Sequence, residues 1–87
     1  MLDKQQLETL LRDAITLDEL HLSLNDSHAE VIAVGEVFAG LSPVRRQQLV
    51  YQPLMQLIQE GTLHAVSIKA FTPQEWQRHQ MLNGPAA

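Results

Sequence analysis

A helical segment between two β-strand patterns is the feature that most constrains how this chain can fold. Residues 29–34 form one buried strand pattern and residues 63–70 another. The stretch between them opens with Ser42 as an N-cap and Pro43 at the first helical position. Strands of one sheet that are joined by a helical crossover run parallel, and the crossover is almost always right-handed. Both strands are therefore expected to begin at the same end of the sheet.

Capping and periodicity signals predict the first half of the chain. Asp3 and Gln6 make a capping box in front of a helix over residues 4–14, whose leucines recur at helical spacing. Leucines then alternate with polar residues through 20–24, and a polar turn cluster follows. The sequence thus predicts a helix and then a β-hairpin, with His28 at the tip end of the second strand.

Proline and glycine mark the second half of the chain. Pro53 must kink or split the crossover helix, because its ring removes a hydrogen bond to the carbonyl four residues earlier, and Gly61 ends that helix. Residues 72–75 form a second capping box with proline at the first helical position, which predicts a short helix through Trp76. The predicted order of elements is α-β-β-α-α-β-α.

These elements predict a single α+β domain over residues 1–80, built on a three-stranded mixed sheet, and a frayed tail over residues 81–87. A chain of 87 residues has room for one modest core. Since no apolar run approaches the ~20 residues that span a bilayer and no secretory signal is visible, we expect a cytoplasmic protein without membrane contact.

The composition excludes several classes of function. The chain has no cysteine, which rules out a disulfide framework, a thiol nucleophile and an all-cysteine metal site. Its net charge of -4 argues against strong nonspecific binding to nucleic acid. The carboxylates are scattered, and the sequence contains neither a serine on a glycine-rich elbow nor a phosphate-binding glycine loop. We therefore expect a binding protein and not an enzyme.

Two histidines are candidate metal ligands. Because the crossover makes both of its strands start at one end of the sheet, His28 and His64 should lie near each other, and imidazole is a suitable ligand for a borderline metal centre. Structural interpretations stand beside this one. His64 could be a strand residue bonded to a neighbouring backbone, and His28 an exposed turn residue. His21 and His79 are expected in solvent.

Three cations are candidates for a nucleic-acid surface, namely Arg45 and Arg46 near the start of the crossover helix and Lys69 on the last strand. The structural alternative is that the two arginines lie on a solvated helix face. Tyr51 and Trp76 are expected to pack against neighbours and not to stack on bases.

Several short motifs, taken in order, resemble the BolA family, in particular its short-loop bacterial branch. The resemblance runs from about Asp3 to Arg78. The motifs that carry it are Ser27-His28-Ala29-Glu30-Val31, Phe38-Ala39-Gly40-Leu41-Ser42, Arg46 with Val50-Tyr51 and Leu54, Leu63-His64-Ala65, and Thr72-Pro73-Gln74-Glu75-Trp76.

The resemblance implies a fold similar to the class II KH domain and a heterodimer with a monothiol glutaredoxin that shares a [2Fe–2S] cluster. In such heterodimers the glutaredoxin supplies one cysteine thiolate and its glutathione supplies another. The BolA-like protein contributes the histidine that opens its last strand, here His64, and a ligand from the hairpin loop, here His28. No cofactor is expected for the isolated protein. Many members carry Arg-His where this chain has Arg46-Gln47, so the ligand prediction falls on these two histidines.

The resemblance also leaves two functions open. One is an iron–sulfur accessory protein in cluster trafficking, iron homeostasis or stress response. The alternative is a transcription regulator that binds DNA through a helix-turn-helix-like helical pair and Arg45, Arg46 and Lys69. A weak homodimer is a further expectation. The acidic balance and the absence of a G-x-x-G loop that clamps a nucleic-acid backbone favour the first function.

Overall fold

The computed structural model describes residues 2–83, and the side chain of residue 83 is not described. The predicted order of elements is confirmed, with a short 3₁₀ turn added on each side of the first crossover helix. In chain order the elements are α1 (Lys4–Ala14), β1 (Glu19–Asn25), β2 (His28–Val34), a 3₁₀ turn (Glu36–Phe38), α2 (Pro43–Tyr51), a second 3₁₀ turn (Gln52–Leu54), α3 (Met55–Gln59), β3 (Ala65–Phe71) and α4 (Pro73–Asn83).

The sheet has the predicted mixed topology, with β2 in the centre. β1 pairs with β2 antiparallel, and its last residue, Asn25, lies opposite His28. β3 pairs with β2 parallel and in unbroken register, from His28 opposite Ala65 to Val34 opposite Phe71. The two crossover-linked strands therefore start at the same end of the sheet.

One face of the sheet carries the core. Alternation places Val31 of β2 and the leucines of β1 on this face, where they pack against Leu7 and Leu11 of α1. The crossover adds Phe38 and Val50, which are both fully buried. The opposite face, hereafter the open face, is polar along most of its length and is covered by α4 at the Phe71 end.

The helix ends follow the predicted signals, apart from the length of α4. Asp3 and Gln6 form the capping box of α1, and Pro53 splits the crossover by a 3₁₀ turn between α2 and α3. The prediction of a short last helix was wrong, because α4 continues to Asn83 and includes the start of the predicted tail. The Gly-Pro pair that signals a helix stop comes only after this residue, which accounts for the longer helix. Residues 84–87 of that tail lie outside the described residues.

None of the helices between residues 2 and 83 has both the length and the apolar character that crossing a bilayer requires.

The hairpin turn between β1 and β2 yields a stability prediction. Asp26 has a φ of 57°, in the left-handed region where aspartate, asparagine and glycine are tolerated and β-branched residues are strained. We expect Asp26→Val to lower the free energy of unfolding by about 1–2 kcal/mol, whereas Asp26→Asn should change it by a few tenths. Urea denaturation with Asp18→Val as the exposed control would test this, and equal losses for both valine variants would contradict it.

Candidate functional site

The tight hairpin turn fixes the position of His28. Only Asp26 and Ser27 separate the paired ends of β1 and β2, so His28 is already the first residue of β2. Its neighbour Ala29 is buried in the core, and strand alternation therefore directs the His28 side chain to the open face, where it is exposed. The imidazole thus projects from one end of a rigid sheet.

His64 is held beside the same turn by its own backbone. The His64 N–H donates to the carbonyl of Ser27 over 2.9 Å. The preceding residue, Leu63, is fully buried, and its N–H donates to the carbonyl of Leu57 over 3.1 Å. A buried side chain and two hydrogen bonds therefore fix the backbone on which the exposed His64 imidazole is carried.

The structure brings the two predicted ligands to one edge of the molecule. Since Ala65 lies directly opposite His28, the backbone of His64 is one residue from that pairing, and paired strands are ~4.8 Å apart. Both imidazoles are exposed, and neither forms a hydrogen bond or ion pair with another described residue. Their ring nitrogens are therefore available to a ligand from outside.

The chain alone does not complete a metal site. Within the described part of the chain, no group of three or more histidine, cysteine, aspartate or glutamate side chains could hold a metal ion. This edge offers two imidazoles, so any four-coordinate centre there needs donors from a second molecule. That His28 and His64 bind metal stays a prediction.

The other two histidines contact the ring of the single tryptophan: His21 is half exposed, in line with the prediction of a solvated residue, whereas His79 is partly buried, which differs from it. The His21 and His79 rings lie 5.3 and 5.5 Å from the Trp76 ring, between centroids, and the His79 ring also lies 5.0 Å from that of Phe71. Alternation places His21 on the open face, and α4 supplies Trp76 and His79 from above that face. These histidines help to dock α4 on the sheet.

Glu19 joins this ring cluster through one oxygen. Trp76 Nε1 donates to Glu19 Oε1 over 3.2 Å, and His21 Nε2 lies 3.0 Å from the same oxygen. Trp76 therefore has a packing role, as predicted. No local pattern indicates the link with Glu19, because the two residues are 57 positions apart.

Arg46 has an internal role that sequence reasoning missed. Its guanidinium donates to both carboxylate oxygens of Glu75, over 2.5 and 3.2 Å, in a bidentate arrangement. It also donates to the carbonyls of Leu41, over 3.0 Å, and Ala70, over 3.3 Å. Its side chain is 16% exposed, and it ties α2 to β3 and α4.

The contacts of Glu75 shift its titration. The hydrogen bond from Arg46 and then the bond from the Thr72 N–H hold the pKa of the Glu75 carboxyl below its ordinary value of 4.5, against a smaller opposing effect of burial. The Thr72 bond belongs to the predicted capping box of α4, which is confirmed. One carboxylate thus caps α4 and anchors it to α2.

Two of the three predicted nucleic-acid contacts, Arg46 and Lys69, line one cavity between α2 and β3. Arg45 is exposed on α2, and Lys69 is exposed on the open face of the sheet, opposite Ile32. Arg46 lies between them with its guanidinium occupied by protein acceptors. That these cations bind nucleic acid stays a prediction, to which Arg46 would contribute little because its donors are occupied.

Comparisons with known proteins agree with the fold described above. The family described as BolA-like protein matches residues 8–75. The chain is 49% identical over 83 residues to the acid stress protein IbaG of Escherichia coli strain K12, covering 95% of this chain and 99% of that protein. It is 44% identical over 54 residues to the DNA-binding transcriptional regulator BolA of Vibrio cholerae, covering 62% of this chain and 50% of that one. A Bol-like protein of Babesia bovis superposes with a TM-score of 0.80 at 25% identity, over 92% and 95% of the two chains.

The contacts of Arg46 predict a stability effect. Arg46→Ala should lower the free energy of unfolding by about 2 kcal/mol, because it leaves two carbonyls and a carboxylate without their charged donor. Arg45→Ala, on the exposed side of the same helix, is the control and should change it little. Urea denaturation would measure both, and equal effects would contradict an internal role for Arg46.

A pH dependence follows from Glu75. Because its pKa is lowered in the folded state, ionised Glu75 contributes stability above its unfolded pKa, and that contribution is lost as the pH falls through the folded pKa. The free energy of unfolding of the wild type should therefore exceed that of Glu75→Gln by less than about 1 kcal/mol at pH 7, since the carboxylate is half exposed. The difference should shrink below pH 4.5. A constant difference down to acid pH would contradict this assignment.

Proposed function

The chain belongs to the BolA-like family, and on that premise we propose that it is a cytoplasmic iron–sulfur accessory protein. It pairs with a monothiol glutaredoxin and shares a [2Fe–2S] cluster with it, in cluster trafficking, iron homeostasis or stress response. The observation that carries the proposal is that two exposed histidines, His28 and His64, lie near one another at one end of the sheet, and that neither side chain bonds to another described residue.

The donor chemistry supports a shared centre. Iron–sulfur clusters are usually held by cysteine thiolates, and histidine replaces part of the cysteine set in some [2Fe–2S] centres, where it raises the reduction potential. This chain has no cysteine, so its own contribution is limited to nitrogen ligands, and the thiolates come from the glutaredoxin and its glutathione. When bound, the cluster would be held here by His64 and His28.

The residues around the two histidines hold the backbone that carries each imidazole in a fixed position. The bond from the His64 N–H to Ser27 and the burial of Leu63 fix one imidazole-bearing backbone, and the tight turn fixes the other. Exposure of both side chains gives a partner access without unfolding any element. A preorganised pair of ligands reduces the ordering that binding would otherwise require.

The stress-response part of the proposal has support from a relative. The Escherichia coli protein that this chain resembles over nearly its whole length carries the name acid stress protein. The proposal requires no reaction on this chain, because the cluster would be shared with one protein and passed to another. The proposed role is therefore binding and transfer, not catalysis.

DNA binding is the second candidate function, and the name of the Vibrio cholerae relative favours it. In this chain the proposal must rely on Arg45 and Lys69, since Arg46 is held by Glu75 and two carbonyls. Two isolated cations on a chain of net charge -4 are a weak electrostatic footprint.

The DNA proposal has a direct test in the salt dependence of binding. If the free protein binds a labelled duplex through Arg45 and Lys69, the affinity should fall with rising salt, and each charge-removing substitution should reduce the slope of log affinity against log salt by ~1. Fluorescence anisotropy at several salt concentrations would measure this. Absence of binding at low salt would eliminate direct regulation by the free protein.

The cluster proposal predicts a chromophore in a defined mixture. Mixing the protein with a monothiol glutaredoxin, glutathione, iron and sulfide should give a visible absorption that elutes with a heterodimer. His64→Ala should abolish the heterodimer's spectrum, because it removes the firmly positioned ligand. His28→Ala should keep a cluster with an altered spectrum and a lower reduction potential, because one neutral nitrogen donor has been replaced.

Two comparisons make this experiment decisive. His21→Ala removes an exposed histidine elsewhere on the sheet and should leave the heterodimer spectrum unchanged. Circular dichroism of the isolated variants separates loss of a ligand from loss of the fold. An unchanged spectrum for His64→Ala would remove that residue from the site, and a wild-type mixture without a heterodimer chromophore would refute the proposal.

A further inference from the structure

A groove runs between α2 and the outer edge of β3. It has a volume of about 480 Å³, and none of its seven lining side chains is charged. The lining residues are Val44, Gln47, Gln48, Tyr51, Val66, Ser67 and Ile68. The proposed cluster ligands are not among them.

The edge of β3 beside this groove has its backbone groups directed outward. The Ala65 N–H donates to Ser27 and the Phe71 carbonyl accepts from Gly35, so the odd-numbered residues of β3 bond to β2. In a parallel ladder the alternate residues point the other way. The even-numbered residues Val66 and Ile68 therefore direct their N–H and C=O groups to the free edge. The bond from Arg46 to the carbonyl of Ala70, the next even-numbered residue, agrees with this assignment.

β3 lacks most of the features that normally prevent an edge strand from pairing with another chain. Such edges are usually short, bulged, or marked by proline and charge. β3 is seven residues long, keeps regular register along β2, and contains neither proline nor a bulge in that pairing. Its single charged residue, Lys69, lies outside the lining of this groove.

The exposed side of α2 forms the opposite wall. Val44, Gln47, Gln48 and Tyr51 follow one another at helical spacing and make a single stripe along the helix. Val44 is 64% exposed, although it is apolar. A strand added to the edge of β3 would have α2 along one side, so this stripe would contact its side chains.

We propose that the groove binds an extended, uncharged peptide segment of a partner protein, which adds to β3 as a fourth strand. The outward N–H and C=O groups of Val66 and Ile68 require the alternating donors and acceptors that another extended backbone supplies. The seven lining side chains are uncharged, which disfavours the phosphates of a nucleic acid in this groove, whereas Arg46 and Lys69 line the neighbouring cavity between α2 and β3. This inference does not rest on the proposed cluster, because its test uses this protein and a peptide without a glutaredoxin.

The two faces of the added strand would meet different surroundings. Side chains on one face lie against Val44 and Tyr51 of the stripe, which favours small apolar residues such as valine. Those on the other face continue the polar open face, where Ser67 is the neighbour on β3. The expected ligand therefore alternates apolar and polar uncharged residues.

Amide hydrogen exchange gives the test. The probe is an acetylated and amidated hexapeptide of alternating valine and threonine. Saturating peptide should slow exchange of the Val66 and Ile68 amides by at least about tenfold, because they become hydrogen-bonded. The Ser67 and Lys69 amides already bond to β2 and should change little. The same peptide with every backbone nitrogen methylated keeps its side chains, loses its N–H groups, and should not bind.

Matched variants localise the effect. Val44→Asp puts a charge in the groove and should weaken peptide binding at least about tenfold, whereas Val37→Asp alters an exposed valine outside the groove and should not. Four results would overturn the proposal: unchanged exchange at Val66 and Ile68 with saturating peptide, equal binding of the methylated peptide, protection of these amides by a homodimer without peptide, or tighter binding of a single-stranded oligonucleotide in the groove.

Discussion

The parallel pairing of β2 with β3 is the constraint on which the rest of the structure depends. A tight turn cannot connect parallel strands, so the chain must leave β2 at one end, cross the sheet, and return to the other end before β3 begins. The crossing segment is apolar on the side that faces the sheet, where Phe38, Val50 and Leu54 are fully buried in the core. The same return path brings His64 to the hairpin turn at Ser27 and leaves β3 at the edge of the sheet. The buried core, the closeness of the two histidines and the unpaired edge of β3 are therefore all linked to this parallel pairing.

Most of the fold could be predicted from the sequence, because its determinants act over a few residues. The capping boxes at Asp3 and Thr72 close over three residues, and Pro53 acts on the turn that precedes it. The neighbourhood of His28 and His64 was predictable for a different reason, since the handedness and direction of a crossover are nearly invariant. The side-chain direction of His64 was not predictable, because His64 precedes the strand and alternation does not yet apply to it.

The distant partners of the charged and aromatic side chains could not be predicted, since tertiary contacts decide them. Arg46 and Glu75 are 29 positions apart, and nothing in either local sequence distinguishes an arginine that bonds protein carbonyls from one that faces a phosphate. The same holds for His21 and His79, whose local sequence is typical of solvated polar residues. Only the packing of α4 on the open face brings their rings into contact with Trp76. A sequence pattern indicates which face of an element is apolar, but it does not indicate which distant polar groups will meet there.

The way α4 is attached has a consequence for how the molecule opens. None of its residues from 73 to 82 is buried, and the buried core cluster contains no residue of this helix. It is held by ring contacts, by the bond from Trp76 to Glu19 of β1, and by the bonds from Arg46 of α2 to its own Glu75. Helices attached in this manner can unfold locally while the core stays intact. We therefore expect α4 to detach while the core stays folded, which would expose Phe71 and the end of the sheet.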